Sequence, residues 1–462
     1  MSTDEARYRA LNPATGQVIE DFAHATDTEI QDAIAAAHAA FEKWRRRPIA
    51  ERAAVVARLA DLFTERVEEL AGIITLEMGK RHDQAVGEAE FSADIFRYFA
   101  EQGERLAADQ AIPTFSGGRA VVQRRPVGVL LGVMPWNYPY YQVARFAAPN
   151  LVLGNTILLK HAESCPYSAL AIRDLMLEAG VPAGVYENVF ASHNQVADII
   201  ADDRVQGVSV TGSERAGAAI GALAGKHLKK AVLELGGSDP YIVLDADDVA
   251  EAATTAWETR MENTGQACNS NKRMIVAEPV FADFVAGLVE HASGLQPGDP
   301  AEAKDGTYAP MSSRAAAETL HEQVQDAVAK GATLHTGGEL SPGPDAYYSP
   351  AVLTGVTPGM RAYSEELFGP VAVVYKAASD QEALDLANSS RYGLGGAVFS
   401  TDVARATAVA AELEVGMANV NTPVGEGAEL PFGGVKRSGF GRELGPLGMD
   451  EFVNKRLLYI SD

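Results

Sequence analysis

Cys268 ends the segment NTGQAC (263–268), and Glu234 stands upstream of it in LELGG (233–237). The chain has 462 residues and only two cysteines, Cys165 and Cys268. A thiol attacks a carbonyl carbon as its thiolate, which needs a polar or electropositive setting. A turn rich in glycine and amides, as around Cys268, offers one. The thioester left after such an attack needs activated water, and a carboxylate flanked by glycines can serve as the base. A lone cysteine also reads as an inert core residue, because free cysteine is among the most buried residue types. The surrounding elements must decide between the two.

Those elements alternate. VGVLLGVM (127–134), TILLK (156–160), YENVF (186–190), GVSVTG (207–212) and KAVLELGG (230–237) read as strands, separated by helices over 139–153, 166–180, 194–202 and 214–225. Short apolar strands between helices predict a parallel, doubly wound sheet. A second α/β series runs from PYIVL (240–244) to a helix over 402–413. The junction lies near 234–237, which puts Glu234 at a hinge and Cys268 in the second unit, across a cleft. Ahead of both, helices are predicted at 27–44, 48–71 and 82–108 from apolar spacing. The stretch 119–134 reads as strands with a Pro-Gly break. The strand-like tail EFVNKRLLYISD (451–462) has no local partner and suits another subunit's sheet edge.

Composition narrows the function class. Apolar residues make up 47% and charged residues 22%, enough for full cores in two or three domains. The formal net charge of −23 argues against nucleic acid and anionic membranes as partners. No apolar run reaches the roughly 20 residues of a membrane helix. The N-terminus carries no charged-then-apolar signal, and two cysteines make no disulfide framework, so a cytoplasmic, reduced protein is expected.

PWNYP (135–139), LLKHAE (158–163), VTGS (210–213), LELGG (233–237), NTGQAC (263–268), EELFGP (365–370) and PFGGVKRSGFGRELG (431–445) stand in order along the chain. With this set the chain resembles the aldehyde dehydrogenase superfamily from about residue 12 to the C-terminus, and is most similar to bacterial succinate-semialdehyde dehydrogenases. The resemblance implies an α/β fold: a Rossmann-type cofactor domain (1–118 and 135–233), an α/β catalytic domain (234–430) and a small β oligomerisation element (119–134 and 446–462). It implies Cys268 as nucleophile, Glu234 as hydrolytic base, and Asn137 with the Cys268 N–H as oxyanion donors. No metal is called for, and the Gly-x-Gly-x-x-Gly fingerprint is absent. Instead Gly212 and Ser213 would hold a pyrophosphate at a helix start. Lys160 and Glu163 would hold the adenine ribose, Trp136 would lie along the adenosine, Glu366 would bind the nicotinamide ribose and Phe368 would pack near the ring. Because a carboxylate repels a 2′-phosphate, Glu163 predicts NAD over NADP.

The resemblance also implies oxidation of an aldehyde to an acid, with succinate semialdehyde first and an aminoaldehyde or broad aliphatic aldehyde next. Glu234 argues against a CoA-acylating relative, and retention of Cys268, Asn137 and Glu234 argues against a non-enzymatic descendant. Arg145, eight residues after Asn137, would grip a distal carboxylate, although it also reads as a helix-surface arginine. Phe432, in PFGG, would face the substrate. Glu262 and Glu426 would sit near the mouth, where two acids oppose an anionic substrate and suit a cationic one. A homodimer or homotetramer acting on a small-molecule aldehyde is expected.

Overall fold

Runs of Val, Ile and Leu become the buried strands of two sheets in the computed structural model, which describes residues 8–115, 117–425 and 427–462. The first sheet has six strands in the order Gly439–Phe440, Lys230–Glu234, Val205–Thr211, Val129–Val133, Thr156–Lys160 and Tyr186–Asn188. All pairs are parallel except the first. The chain leaves Val129–Val133 toward Thr156–Lys160 and Tyr186–Asn188, then returns to the other side at Val205–Thr211. Strand order therefore reverses at Val129–Val133, and the loop leaving that strand carries Trp136 and Asn137. In open α/β sheets such a switch point, at the carboxyl ends of the strands, is where ligands bind.

The second sheet has seven strands, Thr333–Thr336, Ala351–Thr354, Val371–Ala377, Arg273–Ala277, Pro240–Val243, Gly395–Phe399 and Met417–Val420, parallel apart from the Thr333–Thr336 edge. Each sheet buries apolar side chains on both faces. Leu130, Ile157 and Leu159 meet the helices 49–106 on one side of the first sheet, and Leu131, Leu158 and Val208 face its other side. This accounts for strands that read as continuous apolar runs rather than alternating ones.

Most predicted elements appear within a few residues of their expected bounds. Asp27–Trp44 starts at Thr26, whose hydroxyl accepts from Glu29 N at 3.2 Å while Glu29 accepts back from Thr26 N at 2.7 Å. The single helix expected over 48–71 is instead two, Ile49–Glu65 and Val67–Met78, broken where Arg66 leaves helical geometry (φ −114°). The expectation that 119–134 forms one oligomerisation element is also corrected. Arg119–Pro126 pairs with Val453–Ile460 and Gln110–Ile112 in a separate three-stranded sheet, but Val129–Val133 is central to the first sheet. The change of sheet occurs at Gly128 (φ 140°), where the Asn155 side chain accepts from the N–H groups of Val127 and Gly128. The hairpin Tyr8–Asn12/Gln17–Phe22 and the edge strand Met417–Val420 were not anticipated. Among the described residues no helix is long and apolar enough to cross a membrane.

Candidate active site

Two loops meet where the sheets face each other. The first, after Val133, is held by Glu88, whose carboxylate accepts from Tyr140 N (2.9 Å) and Tyr141 N (3.3 Å) and pairs with buried Lys80. The second precedes Cys268. Asn263, Thr264 and Gly265 take left-handed φ values of 50°, 54° and 72° in succession, a costly backbone for a β-branched threonine. Arg260 over-determines that turn. Its guanidinium is fully buried and donates to the carbonyls of Gly265, Leu367, Gly369 and Val371 and to Ser270 Oγ. Burial lowers its pKa to about 9, still cationic at neutral pH. The two loops are stitched together by Asn263 Nδ2, which donates to the Asn137 carbonyl at 2.8 Å, and by Asn137 Nδ2, which donates to the Gln266 carbonyl at 3.1 Å. One Asn137 amide hydrogen is thus used in positioning and one is left to donate.

Cys268 opens half-buried onto a cavity of about 580 Å³. Burial pushes its thiol up to about 11, against the pull of the Arg145 and Lys272 cations, so the resting sulfur is protonated at neutral pH. Lys272 is the organising cation. Its Nζ donates to the carbonyls of Ala267 (2.5 Å) and Cys268 (2.9 Å) and pairs with Glu366 at 3.1 Å. The Glu366 carboxylate also accepts from Gly237 N at 3.0 Å. Gly237 is needed for this close packing, since a Cβ there would stand 2.3 Å from the Cys268 carbonyl oxygen. Gly237→Ala is expected to displace Cys268 and lower kcat about tenfold to a hundredfold while the thermal unfolding curve shifts only modestly. Steady-state kinetics beside a melting curve checks this.

Glu234 ends its strand and is buried. Neither of its carboxylate oxygens has a hydrogen-bond partner among the described residues. The side chain lies against Gly433, where a Cβ would meet its Oε1 at 2.6 Å. Burial first, and then the Glu443 charge, push its pKa well above the ordinary carboxylate range, while Arg145 and Arg442 oppose. It stands outside the set of residues that line the cavity.

The cavity is walled by Phe91, Tyr138, Tyr141, Met417, Leu430 and Phe432, with Glu258 and Glu262 also on its lining. Glu262 thus faces the cavity, whereas Glu426 lies outside the described residues. Arg145 stands one layer back. It is about 1% exposed, with its guanidinium carbon 4.6 Å from the Tyr141 ring centre and 4.3 Å from that of Phe432. It pairs with Glu443 at 2.8 Å, in a geometry that leaves its Nε without an aligned hydrogen bond. It also donates to the Tyr141 hydroxyl at 3.2 Å and to Gln142 Oε1.

The remaining candidates line the carboxyl ends of the first sheet. Phe368 meets Trp136 edge-on at 5.6 Å, and Lys272 lies 5.5 Å from the Phe368 ring. Lys160 pairs with Glu163 at 2.5 Å. Ser213 caps the helix Glu214–Lys226 by accepting from Ala216 N at 3.3 Å. A Cβ added at Gly212 would meet nothing within 4 Å, so open space lies before that helix. A dinucleotide fits this donor set: a helix start for phosphate, a Lys–Glu pair for one ribose, and a carboxylate fixed by Lys272 for the other. Lys272, Arg260 and Glu443 escaped the sequence reading. The only signal for Lys272 was a cation four residues after the nucleophile.

The sequence model of the aldehyde dehydrogenase family matches residues 1–458. The chain is 52% identical, over 98% of its length and 95% of the relative's, to a succinate-semialdehyde dehydrogenase [NADP(+)] of Deinococcus radiodurans. It is 41% identical, over 97% of its length and 96% of the relative's, to a protein of the same name from Mycobacterium avium. The crystal structure of succinic semialdehyde dehydrogenase from Streptococcus pyogenes, in complex with NADP+, superposes with a TM-score of 0.95 at 41% identity, covering 98% of this chain and all of that one. These relatives overturn the expected preference for NAD. The reason is visible at Glu163. Burial is the largest single influence and works against its charge, but the charge and hydrogen bond of Lys160, together with a backbone N–H and His193, hold the carboxyl below its ordinary range. The His193 ring stands 3.7 Å from the same carboxylate. The α/β architecture, the ordered motifs and these matches together establish that the chain belongs to the aldehyde dehydrogenase family.

Proposed function

We propose that this protein oxidises succinate semialdehyde to succinate with NADP+. The observation that carries this reading is the cavity: the Cys268 thiol opens onto it, and the Arg145 charge lies directly behind its Tyr141 and Phe432 walls. The names and high identity of the relatives support the same substrate and cofactor.

Cys268 gives up its thiol proton to water in the cavity and adds as thiolate to the aldehyde carbon to give a thiohemiacetal, while Asn137 and the Cys268 N–H hold the carbonyl oxygen as negative charge develops on it. When bound, NADP+ supplies the hydride acceptor. Cys268 then carries the acyl group as a thioester, and Glu234 turns from Gly433 to take a proton from the attacking water. Glu366, fixed by Lys272 and Gly237, holds the nicotinamide ribose. Lys160, Glu163, Gly212, Ser213 and Trp136 hold the rest of the dinucleotide, with Phe368 against the ring. A glutamate base serves hydrolysis rather than acyl transfer to CoA. The exposed Leu457, Leu458, Tyr459 and Ile460 on the edge strand Val453–Ile460 support pairing of this edge with a second copy, giving a homodimer or a dimer of dimers. The formal net charge of −23 and, among the described residues, no helix long and apolar enough to cross a membrane support a cytoplasmic location.

Glu258 and Glu262 on the cavity lining favour a second reading, a cationic aminoaldehyde. Kinetics with succinate semialdehyde, butanal and 4-aminobutanal, each with NADP+ and NAD+, decides between them. The proposal expects the highest kcat/KM for succinate semialdehyde with NADP+, and a preference for 4-aminobutanal would overturn it. Arg145→Met should lower kcat/KM for succinate semialdehyde about two- to fivefold relative to butanal, because a paired charge behind the cavity wall acts at a distance and not through a direct hydrogen bond. It should also destabilise the fold by about 3 kcal/mol, because it strands buried Glu443. Comparing the two substrates on the same preparation separates recognition from folding; an equal loss on both would make Arg145 structural.

A further inference from the structure

The turn after Thr156–Lys160 and the start of the helix His193–Ala201 converge on one carboxylate oxygen. Glu163 Oε1 receives Lys160 Nζ at 2.5 Å, and His193 Nε2 stands 3.7 Å from the same atom. The two side chains differ in freedom. Lys160 is buried beneath the Tyr8 ring, 5.4 Å from its centre, whereas the His193 side chain is 86% exposed and free to swing. Ser192 caps the helix behind it by accepting from Gln195 N, which fixes the His193 backbone while leaving its ring outside.

We infer that His193 is a specificity-determining residue for the cofactor, leaving Glu163 to donate a ring N–H to the 2′-phosphate of the adenine ribose. This inference rests on the NADP+ reading. A ribose held by Lys160 and Glu163 would bring its 2′ substituent near these two residues, and His193 is the side chain that stands beside the same carboxylate. A 2′-phosphate brings about one and a half to two negative charges. Lys160 is already committed to Glu163, so it leaves no surplus positive charge for the phosphate. An imidazole supplies the missing donor, and its protonated form supplies charge as well. A cofactor without the 2′-phosphate gives His193 nothing to reach, so the residue discriminates rather than merely binds.

Calorimetric titration with 2′,5′-ADP and 5′-AMP, fragments that report the 2′-phosphate without turnover, tests this on the full protein. The wild type is expected to bind 2′,5′-ADP more tightly than 5′-AMP. His193→Ala should weaken 2′,5′-ADP about three- to tenfold and leave 5′-AMP within twofold, the scale of one partly exposed charge-assisted hydrogen bond. His193→Arg should restore the difference. An undiminished preference in His193→Ala, or an equal loss of both ligands, overturns the assignment alone. A wild type that binds both fragments equally overturns it together with the NADP+ reading.

Discussion

Cys268→Ala is expected to abolish aldehyde oxidation, by at least about a thousandfold in kcat, while nucleotide binding persists. The alanine removes the atom that bonds to substrate. It leaves intact the carbonyls through which Lys272 and Arg260 fix the loop, because those contacts use the backbone of Gly265, Ala267 and Cys268 rather than the thiol. The measurement is turnover beside a nucleotide titration, and retention of more than a few per cent of activity would exclude the thiol as nucleophile. In the wild type the thiol rests near 11, pushed up by burial. Alkylation of the nucleotide-free protein by iodoacetamide should therefore still be accelerating at pH 9, since the thiolate fraction grows as pH approaches the raised value.

Glu234→Gln is expected to leave the first turnover and stop the second. The acid is buried with both oxygens unpartnered among the described residues, so an amide of the same shape is tolerated, but it can no longer take a proton from water. Rapid mixing should show a burst of NADPH followed by a steady state slowed about a hundredfold to ten-thousandfold. The pH dependence has a definite sign. Burial raises the Glu234 pKa, so the base form is scarce at low pH, and wild-type deacylation should climb with pH through that raised value. The variant should lose this climb. Burst and steady state falling in proportion would place Glu234 in an earlier step.

Much of the site was legible because its signals are local. The NTGQAC and LELGG segments name a thiol and an acid, and the glycines mark places where backbones must meet. Gly237 beside the Cys268 carbonyl and Gly236 beside Glu366 show why no side chain can stand there. The alternating apolar strands specified both sheets, since strands buried on two faces are apolar throughout and short. Boundaries set by a single residue were less legible. Arg66 breaks a helix that apolar spacing carried through, and Gly128 moves the chain between sheets inside one β-branched stretch.

The cofactor expectation shows where local reading ends. Glu163 by itself repels a 2′-phosphate, but its effective charge depends on Lys160, three residues away, and on His193, which only the fold brings near. Arg145 follows the same rule. Its spacing from Asn137 placed it by the substrate, yet its partner Glu443 comes from the far end of the chain and holds it behind Tyr141 and Phe432. Residue type and short-range periodicity were enough to point to the candidate reacting groups, the two α/β sheets and the family. Only the tertiary structure decided which charges are already neutralised and which side chains reach the cavity. Electrostatic pairing and burial also depend on residues far apart in the chain, such as Arg145 and Glu443, and a linear pattern carries no record of such meetings.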